Sequence, residues 1–194
     1  PGDVDSEPFT IGYLSRVSPE KGLLFLCEAY RRLRRKGNLP PSRLWAAGYL
    51  APEHRTYLDG IRDSMESWGL SGEFRYFGEV DREGKLAFLK KLGLLSVPGL
   101  YDDPKGMFLL EAMAAGVPVV QPRRGAFTEI VENTGGGILV EPDDPDALAE
   151  GILALWQDSR RRRDLASRAY RGVREHYGAA RMAERVLAIY REIQ

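Results

Sequence analysis

Short apolar segments alternate with helix-like segments along most of this chain, and this alternation limits the fold more than any other feature. Strands that are connected by helices pair in parallel, and the helices then cover both faces of the sheet. We therefore predict an α/β fold with a Rossmann-like, doubly wound parallel sheet of about six strands. The candidate strands are residues 9–15, 44–48, 73–78, 94–98, 117–121 and 137–141. The candidate helices between them lie near 20–36, 53–68, 81–92, 106–115 and 125–133.

The pattern becomes purely helical after Pro142. Because the chain shows no internal repeat and no long linker, we expect one domain over residues 1–194, with a core of about 9–142 and a helical tail of about 143–194. The chain starts at Pro1 without Met, which we interpret as a fragment boundary. The helices expected in the tail are Pro145 to Trp156, Arg160 to His176 and Ala179 to Ile193.

Composition and charge exclude several classes of function. Lys plus Arg and Asp plus Glu both number 28, so the formal charge is zero and no bulk attraction to nucleic acid follows. The single cysteine, Cys27, excludes an intramolecular disulfide and a Cys-rich metal site, and we expect it to be a small core residue. No apolar run approaches the ~20 residues that a membrane span needs. We therefore expect a cytoplasmic protein without a nucleic-acid partner.

Two basic residues follow the first candidate strand, in the loop that leads to the first helix. Ser18 is the predicted N-cap and Pro19 the first helical residue, with Arg16 and Lys21 on either side. A cation in the first turn opposes the helix dipole by roughly 0.3–1 kcal/mol. Two cations beside a helix N-terminus do suit a phosphate group, because backbone N–H groups and both side chains could contact one anion. The loop is either such a phosphate site or an ordinary solvated basic loop.

A second segment, Asp102 to Val120, places carboxylates before a glycine and another carboxylate inside an apolar helix. Glu111 lies between Leu110 and Ala112, where a carboxylate is unfavourable unless a partner compensates its charge. A carboxylate near the carboxyl edge of the sheet could accept hydrogen bonds from two vicinal ribose hydroxyls. The alternative is a surface Glu that is stabilised by the positive end of the helix dipole.

Taken together, these segments resemble the donor-binding half of a retaining GT-B glycosyltransferase of family 4, the group that includes relatives of glycogen and sucrose synthase. Arg16 to Gly22 is similar to the G-R-x-x-P-E-K-G loop of that family, and Asp103 to Glu111 is similar to its E-x7-E element. Gly125 to Val131 and Gly137 to Asp144 resemble the later part of the same domain. The resemblance runs from about Ile11 to the C-terminus, in the order of the family.

The resemblance implies roles for residues at the carboxyl edge of the sheet. Arg16 and Lys21 would hold the donor pyrophosphate, and Glu111 would bind the ribose. Asp103 would act on the donor sugar, so the resemblance makes Arg16, Lys21 and Asp103 the expected catalytic residues. The family has Glu at this first acid position, and the segment after Pro98 is one residue longer here than in the family, so Asp102 stays open for the role on the sugar. The other expected donor contacts are the N–H groups of Gly106, Met107 and Phe108, the backbone of Glu79 and Val80 at the nucleobase, and Gly48.

The resemblance also implies an activity. It predicts a hexosyltransferase that takes a UDP- or GDP-hexose, retains the anomeric configuration and needs no metal or other cofactor. It further implies that an N-terminal acceptor domain is absent from this chain, which alone would be inactive. A run of cations, Arg160 to Arg163, opens a helix against its dipole, so peripheral contact with anionic lipid or with the missing domain is a further expectation.

Two other classes remain open at this point. The chain could be a non-catalytic nucleotide-sugar-binding relative, an alternative that the Asp at the first acid position favours. It could also be an unrelated Rossmann-type protein, such as an NAD enzyme or a phosphosugar epimerase. The absence of G-x-G-x-x-G after the first strand argues against that last class.

Overall fold

The computed structural model describes residues 4–5, 7–37 and 40–193, and the expected fragment boundary at Pro1 lies outside them. Six strands of the described chain form one sheet in the order β3-β2-β1-β4-β5-β6, and every pair of neighbours is parallel. This arrangement confirms the predicted doubly wound parallel sheet. The strands are β1 (Phe9–Leu14), β2 (Ser42–Ala47), β3 (Phe74–Tyr76), β4 (Leu94–Leu95), β5 (Val119–Pro122) and β6 (Gly137–Val140).

Helices follow each strand, and further helices complete the described chain. Two short 3-10 turns, Pro19–Lys21 and Pro52–His54, precede the first two helices. The helices are α1 (Leu23–Arg35), α2 (Arg55–Ser67), α3 (Arg82–Leu89), α4 (Met107–Ala114), α5 (Gly125–Thr134), α6 (Pro145–Gln157), α7 (Ser159–His176) and α8 (Ala179–Ile193).

The hydrophobic core lies on both faces of the sheet. All six residues of β1 are buried, as expected for a central strand that helices cover on both sides. Ile11 lies at the middle of β1, opposite Leu44 on one neighbouring strand and Leu94 on the other. Cys27 is fully buried in α1, as predicted for a small core residue.

Two groups of helices cover the sheet. Helix α1 packs against α2 and α6, whereas α4, α5 and α7 pack against one another. Helix α6 also contacts β5 and β6, and both α6 and α7 bury residues in the same core, including Leu148, Ile152 and Ala169. The first two helices of the predicted tail therefore pack on the same core as the helices between the strands.

The start of the first helix differs from the prediction. Ser18 and Pro19 open only the 3-10 turn, and the Ser18 side chain makes no capping hydrogen bond. Gly22 then adopts a left-handed conformation, with φ of 76°, and α1 begins at Leu23. The predicted strand 94–98 is also shorter, because only Leu94–Leu95 pairs as β4.

The arginine run at the start of α7 is partly internal. Arg162 is buried, donates to the carbonyl oxygens of Leu155 at 2.7 Å and Trp156 at 3.0 Å, and pairs with Asp5 at 2.6 Å. Arg163 also pairs with Asp5, at 2.5 Å. The expectation that the whole run faces a lipid or another domain is therefore wrong for Arg162, because its guanidinium is buried and binds groups of this domain. Among the described residues, none of the helices combines the length and apolarity that a membrane span requires.

Candidate functional site

The sheet order sets the position of the site. The chain runs from β1 outward to β3 and then returns to β4 beside β1, so the direction of winding switches between β1 and β4. In open parallel sheets, ligands bind outside the carboxyl ends of the strands at such a point. The loop after β1 carries the two predicted cations, and the loop after β4 carries the two adjacent predicted carboxylates. These loops touch, because the Leu100 N–H donates to the Glu20 carbonyl oxygen at 2.8 Å.

A glycine allows this close approach of the two loops. Gly22 has a φ of 76°, and a Cβ atom at this position would lie 2.1 Å from the carbonyl oxygen of Pro98. Only glycine fits without a backbone shift, because any side chain would collide with the loop after β4. The preceding residue, Lys21, is thereby placed against that loop.

Lys21 and Asp103 form a buried ion pair across the two loops. The Lys21 Nζ lies 2.7 Å from Asp103 Oδ2, and their side chains are 8% and 9% exposed. Lys21 Nζ also donates to the hydroxyl of Tyr101, whose ring centroid lies 4.8 Å from it. The Tyr101 hydroxyl in turn donates to Asp103 Oδ2 at 3.2 Å. The structure therefore joins two of the three predicted catalytic residues directly, although 82 positions separate them in sequence.

Hydrogen bonds fix the charge states of this pair. Burial alone would raise the pKa of Asp103, but bonds from the Gly106 N–H, Lys21 and the Lys105 N–H outweigh burial and lower this pKa to about 2. Burial would likewise lower the pKa of Lys21, but the bonds to Asp103 and Tyr101 outweigh it and raise that pKa. Both groups are therefore charged at neutral pH.

The expected phosphate donors fall into two sets. Gly106 is the N-cap of α4, and its N–H donates to Asp103 Oδ1 at 2.9 Å, so the expectation of a free Gly106 donor is wrong. The N–H groups of Met107 and Phe108 make no hydrogen bond to any described residue, as expected for the first turn of a helix. The Arg16 side chain is exposed and has no salt bridge within the described part of the chain. These three groups remain available to an anion.

A pocket of about 200 Å³ opens beside the ends of β1, β2 and β3. The predicted residues Gly48, Glu79 and Val80 all line it, and Lys85 also does so. Gly48 has a φ of 139°, and a Cβ there would lie 1.9 Å from the Ser15 carbonyl oxygen, so glycine is required where the loops after β1 and β2 meet.

Glu111 lies on α4 and pairs with Lys85 of α3, with 2.7 Å between Lys85 Nζ and Glu111 Oε1. Their side chains are 34% and 38% exposed, so a ligand can reach both groups. Lys85 was not among the residues predicted from the sequence. Its position near the start of the helix after the third strand was the available signal, since that helix begins at the same edge of the sheet.

The two adjacent carboxylates in the loop after β4 differ in exposure and in their contacts. Asp102 is exposed and makes no hydrogen bond or salt bridge with any other described residue, whereas Asp103 is buried. This edge of the sheet therefore offers the exposed guanidinium of Arg16, the buried ammonium of Lys21 and helix N–H groups. It also carries a pocket lined by Lys85, which pairs with the carboxylate of Glu111. Such a set can bind an extended molecule with an anionic centre, a flat end and hydroxyl groups.

Comparisons with known proteins agree with this arrangement. The profile of the family described as glycosyl transferases group 1 matches residues 2–172. An uncharacterized glycosyltransferase of Methanocaldococcus jannaschii is 28% identical over 188 residues, which cover 97% of this chain and 46% of that protein. The chain spans about half the length of the curated relatives that it matches.

Solved structures share the fold. The Anabaena HepE structure in complex with UDP and glucose has a TM-score of 0.84 at 22% identity, covering 95% of this chain and 48% of that one. The C-terminal domain of the Francisella tularensis group 1 glycosyl transferase LpcC has a TM-score of 0.79 at 23% identity, covering 88% of this chain and 87% of that one. The fold is that of one half of a GT-B glycosyltransferase, and the chain belongs to the glycosyl transferases group 1 family.

Proposed function

We propose that this chain binds the nucleotide-sugar donor of a retaining hexosyltransferase, with a UDP- or GDP-hexose as substrate. The contact between Lys21 and Asp103 carries the proposal, because it joins the loops after β1 and β4 at the switch point of the sheet. A positive group is thereby held at the carboxyl edge of the sheet, where a nucleoside diphosphate could bind.

In this proposal each part of the donor has its own contacts. The pyrophosphate lies between Arg16, Lys21 and the first N–H groups of α4. The nucleobase enters the pocket of about 200 Å³ next to the backbone of Glu79 and Val80. The ribose hydroxyls bind Glu111, and Lys85 then moves from this carboxylate toward the phosphates or stays as its partner. The salt bridge between Lys85 and Glu111 is half-exposed, so breaking it is inexpensive, about 1 kcal/mol or less.

The same groups would assist the reaction. When the glycosidic bond to the nucleotide breaks, negative charge grows on the β-phosphate. A guanidinium, an ammonium and helix N–H groups directed at that phosphate stabilise the charge more in the transition state than in the bound donor. We therefore keep the prediction that the reaction needs no metal ion, and we assign no general base. A cytoplasmic location also stays a prediction.

The other half of a GT-B enzyme would supply the acceptor site. Helix α8 supports this part of the proposal, because its large apolar side chains are exposed. We propose that this apolar face packs against the N-terminal domain, and that the chain alone binds donor without transferring sugar. The exposed residues are Met182, Val186, Leu187, Ile189, Tyr190 and Ile193.

Calorimetric titration of the chain with UDP, GDP and ADP tests the proposal. We expect one nucleotide to bind, and Arg16→Ala to weaken its binding at least tenfold, since a charged hydrogen bond contributes about 1.5–3 kcal/mol. Arg160→Ala is a matched control, because Arg160 is also exposed but lies at the start of α7 and not in the loops after β1 and β4. Folded protein that binds none of the three nucleotides would contradict the proposal.

A second candidate is a binding protein that does not catalyse transfer. The occupied carboxylate of Asp103 favours it, because this group is then not free for a sugar. Tighter binding of a nucleotide sugar than of the nucleoside diphosphate supports the transferase, whereas equal binding supports the second candidate.

A further inference from the structure

Two adjacent carboxylates follow β4, and the structure gives them opposite surroundings. Asp103 is buried and Asp102 is exposed. The sequence left open which of the two acts on the donor sugar. The contacts around each carboxylate decide between them. This inference rests on the proposed function, because it assumes that a donor sugar binds at this edge of the sheet.

The carboxylate of Asp103 is fully occupied by donors of the chain itself. Oδ1 accepts from the N–H groups of Lys105 at 3.0 Å and Gly106 at 2.9 Å. Oδ2 accepts from Lys21 Nζ at 2.7 Å and from the Tyr101 hydroxyl at 3.2 Å. A carboxylate offers about four lone-pair positions, so these four bonds leave none for a sugar hydroxyl.

These bonds serve Lys21. Its ammonium group has three N–H donors, of which Asp103 and Tyr101 take two, and it lies 6.0 Å from the ring centroid of Phe108. The third N–H remains for a ligand. Because a buried ammonium without a counter-charge would lose its proton or move to solvent, the carboxylate keeps this group both charged and in place.

Asp102 has a free side chain on a fixed backbone. The next residue is anchored, because the Ala126 N–H donates to the Asp103 carbonyl oxygen at 2.9 Å. Gly125 packs so closely on this loop that a Cβ there would lie 2.7 Å from the same oxygen. The carboxylate of Asp102 is thus presented from a rigid segment and has no partner among the described residues.

We propose that Asp103 is a positioning residue that holds Lys21 and caps α4, and that Asp102 is the carboxylate that contacts the donor-sugar hydroxyls. The quantity that separates the two roles is the ratio of the dissociation constant for UDP to that for UDP-glucose, here called the sugar ratio. A sugar contact changes this ratio, whereas a residue that positions the phosphate-binding ammonium changes both affinities together.

The test is calorimetric titration of the wild type and of Asp102→Asn and Asp103→Asn with UDP and UDP-glucose, and with GDP and GDP-mannose. We expect Asp102→Asn to lower the sugar ratio at least fivefold while the affinity for the bare nucleotide stays within twofold. We expect Asp103→Asn to change both affinities by the same factor and to leave the ratio unchanged. Asp63→Asn, an exposed substitution on α2, is the control.

A readout without ligand accompanies the titrations. Asn at position 103 keeps an oxygen for the two N–H groups at the start of α4, so the variant is expected to fold, which its circular dichroism checks. In nitrogen-detected NMR we expect a slowly exchanging Lys21 ammonium signal in the wild type and in Asp102→Asn, and its loss in Asp103→Asn.

The outcomes are distinct. A lower sugar ratio in Asp103→Asn with an unchanged ratio in Asp102→Asn would overturn the assignment, as would a wild type that binds nucleotide and nucleotide sugar equally. Retention of the protected Lys21 signal in Asp103→Asn would refute the positioning role. No binding of any nucleotide would contradict the proposed function instead, and the NMR result would still decide the positioning role.

Discussion

Replacing Lys21 with Met removes a cation that contacts the buried carboxylate of Asp103 and leaves that carboxylate with three neutral donors among the described residues. We expect this change to destabilise the fold in a pH-dependent way. The pKa of Asp103 falls from its usual 3.8 to about 2. At about 1.4 kcal/mol per pKa unit, this difference corresponds to about 2 kcal/mol of stability that all the donors supply together.

Removing one partner of a buried pair costs about 3–5 kcal/mol when the remaining charge is left without partners. Asp103 keeps three of its four hydrogen bonds, so we expect a smaller loss of about 2–3 kcal/mol at pH 7 for Lys21→Met. The sign with pH follows from the lowered pKa. The stabilisation by the charged carboxylate is present above pH ~4 and is lost as the pH falls toward 2, so the difference between wild type and variant shrinks over that range.

Urea unfolding followed by circular dichroism at pH 7, 5 and 3 measures this difference. Lys105→Met is the control, because Lys105 contacts Asp103 through its backbone N–H and its exposed side chain is not part of the pair. We expect the control to lie within about 0.5 kcal/mol of the wild type at each pH. Equal losses in the two variants, or a Lys21→Met loss that is the same at pH 7 and pH 3, would refute the reasoning.

Three further predictions concern the stability of a Gly22 variant, the binding of UDP to a Glu111 variant and sugar transfer by the chain alone. Gly22→Ala is expected to lower the free energy of unfolding by more than about 2 kcal/mol, because its Cβ would collide with Pro98, whereas Gly37→Ala, with φ of 69° but open space around it, should lose only about 1 kcal/mol in the same urea assay. Glu111→Ala should have a free energy of unfolding within about 1 kcal/mol of the wild type, since its pair with Lys85 is partly exposed. The same variant should bind UDP at least fivefold more weakly in calorimetry, and unchanged affinity would contradict the ribose role. The isolated chain should release no more UDP from UDP-glucose in the presence of candidate acceptors than a heat-treated sample does, and detectable transfer would show that the second half is dispensable.

Much of the fold could be predicted because the relevant signals are local. Most strands of the sheet are short, largely apolar segments, and all but the first end near a glycine or proline. The resulting strand order brings the loop that carries Arg16 and the helix that carries Glu111 to one edge. The start of α1 could not be predicted as well. Ser18 and Pro19 carry the usual signals for a helix start, but the left-handed Gly22 interrupts the helix because the neighbouring loop passes too close for a side chain.

The chemistry of the site depended on contacts that no local pattern reveals. The sequence could place Lys21 and Asp103 at the same edge of the sheet. It could not show that they form a salt bridge, since this depends on the conformations of the two loops that carry them. The same holds for Gly106, whose N–H is taken by the carboxylate three residues earlier. Lys85 was missed because its partner Glu111 lies on a different helix, 26 residues away.

The short pairing of β4 with β1 has a consequence for how this protein folds. Only two residues of β4 pair with β1, and 79 residues of chain lie between Leu14 and Leu94. Pairing of β1 with β4, which joins the half of the sheet formed by β1 to β3 to the half formed by β4 to β6, therefore costs a large amount of chain entropy. The ion pair between Lys21 and Asp103 joins the loops that follow these same two strands. A nucleotide that binds there would contact both halves and stabilise the folded form by an amount that rises with the logarithm of its concentration once this exceeds the dissociation constant. Under the proposed function, the concentration of nucleotide would then influence how much folded protein is present, and the protein would be most resistant to unfolding when nucleotide is abundant.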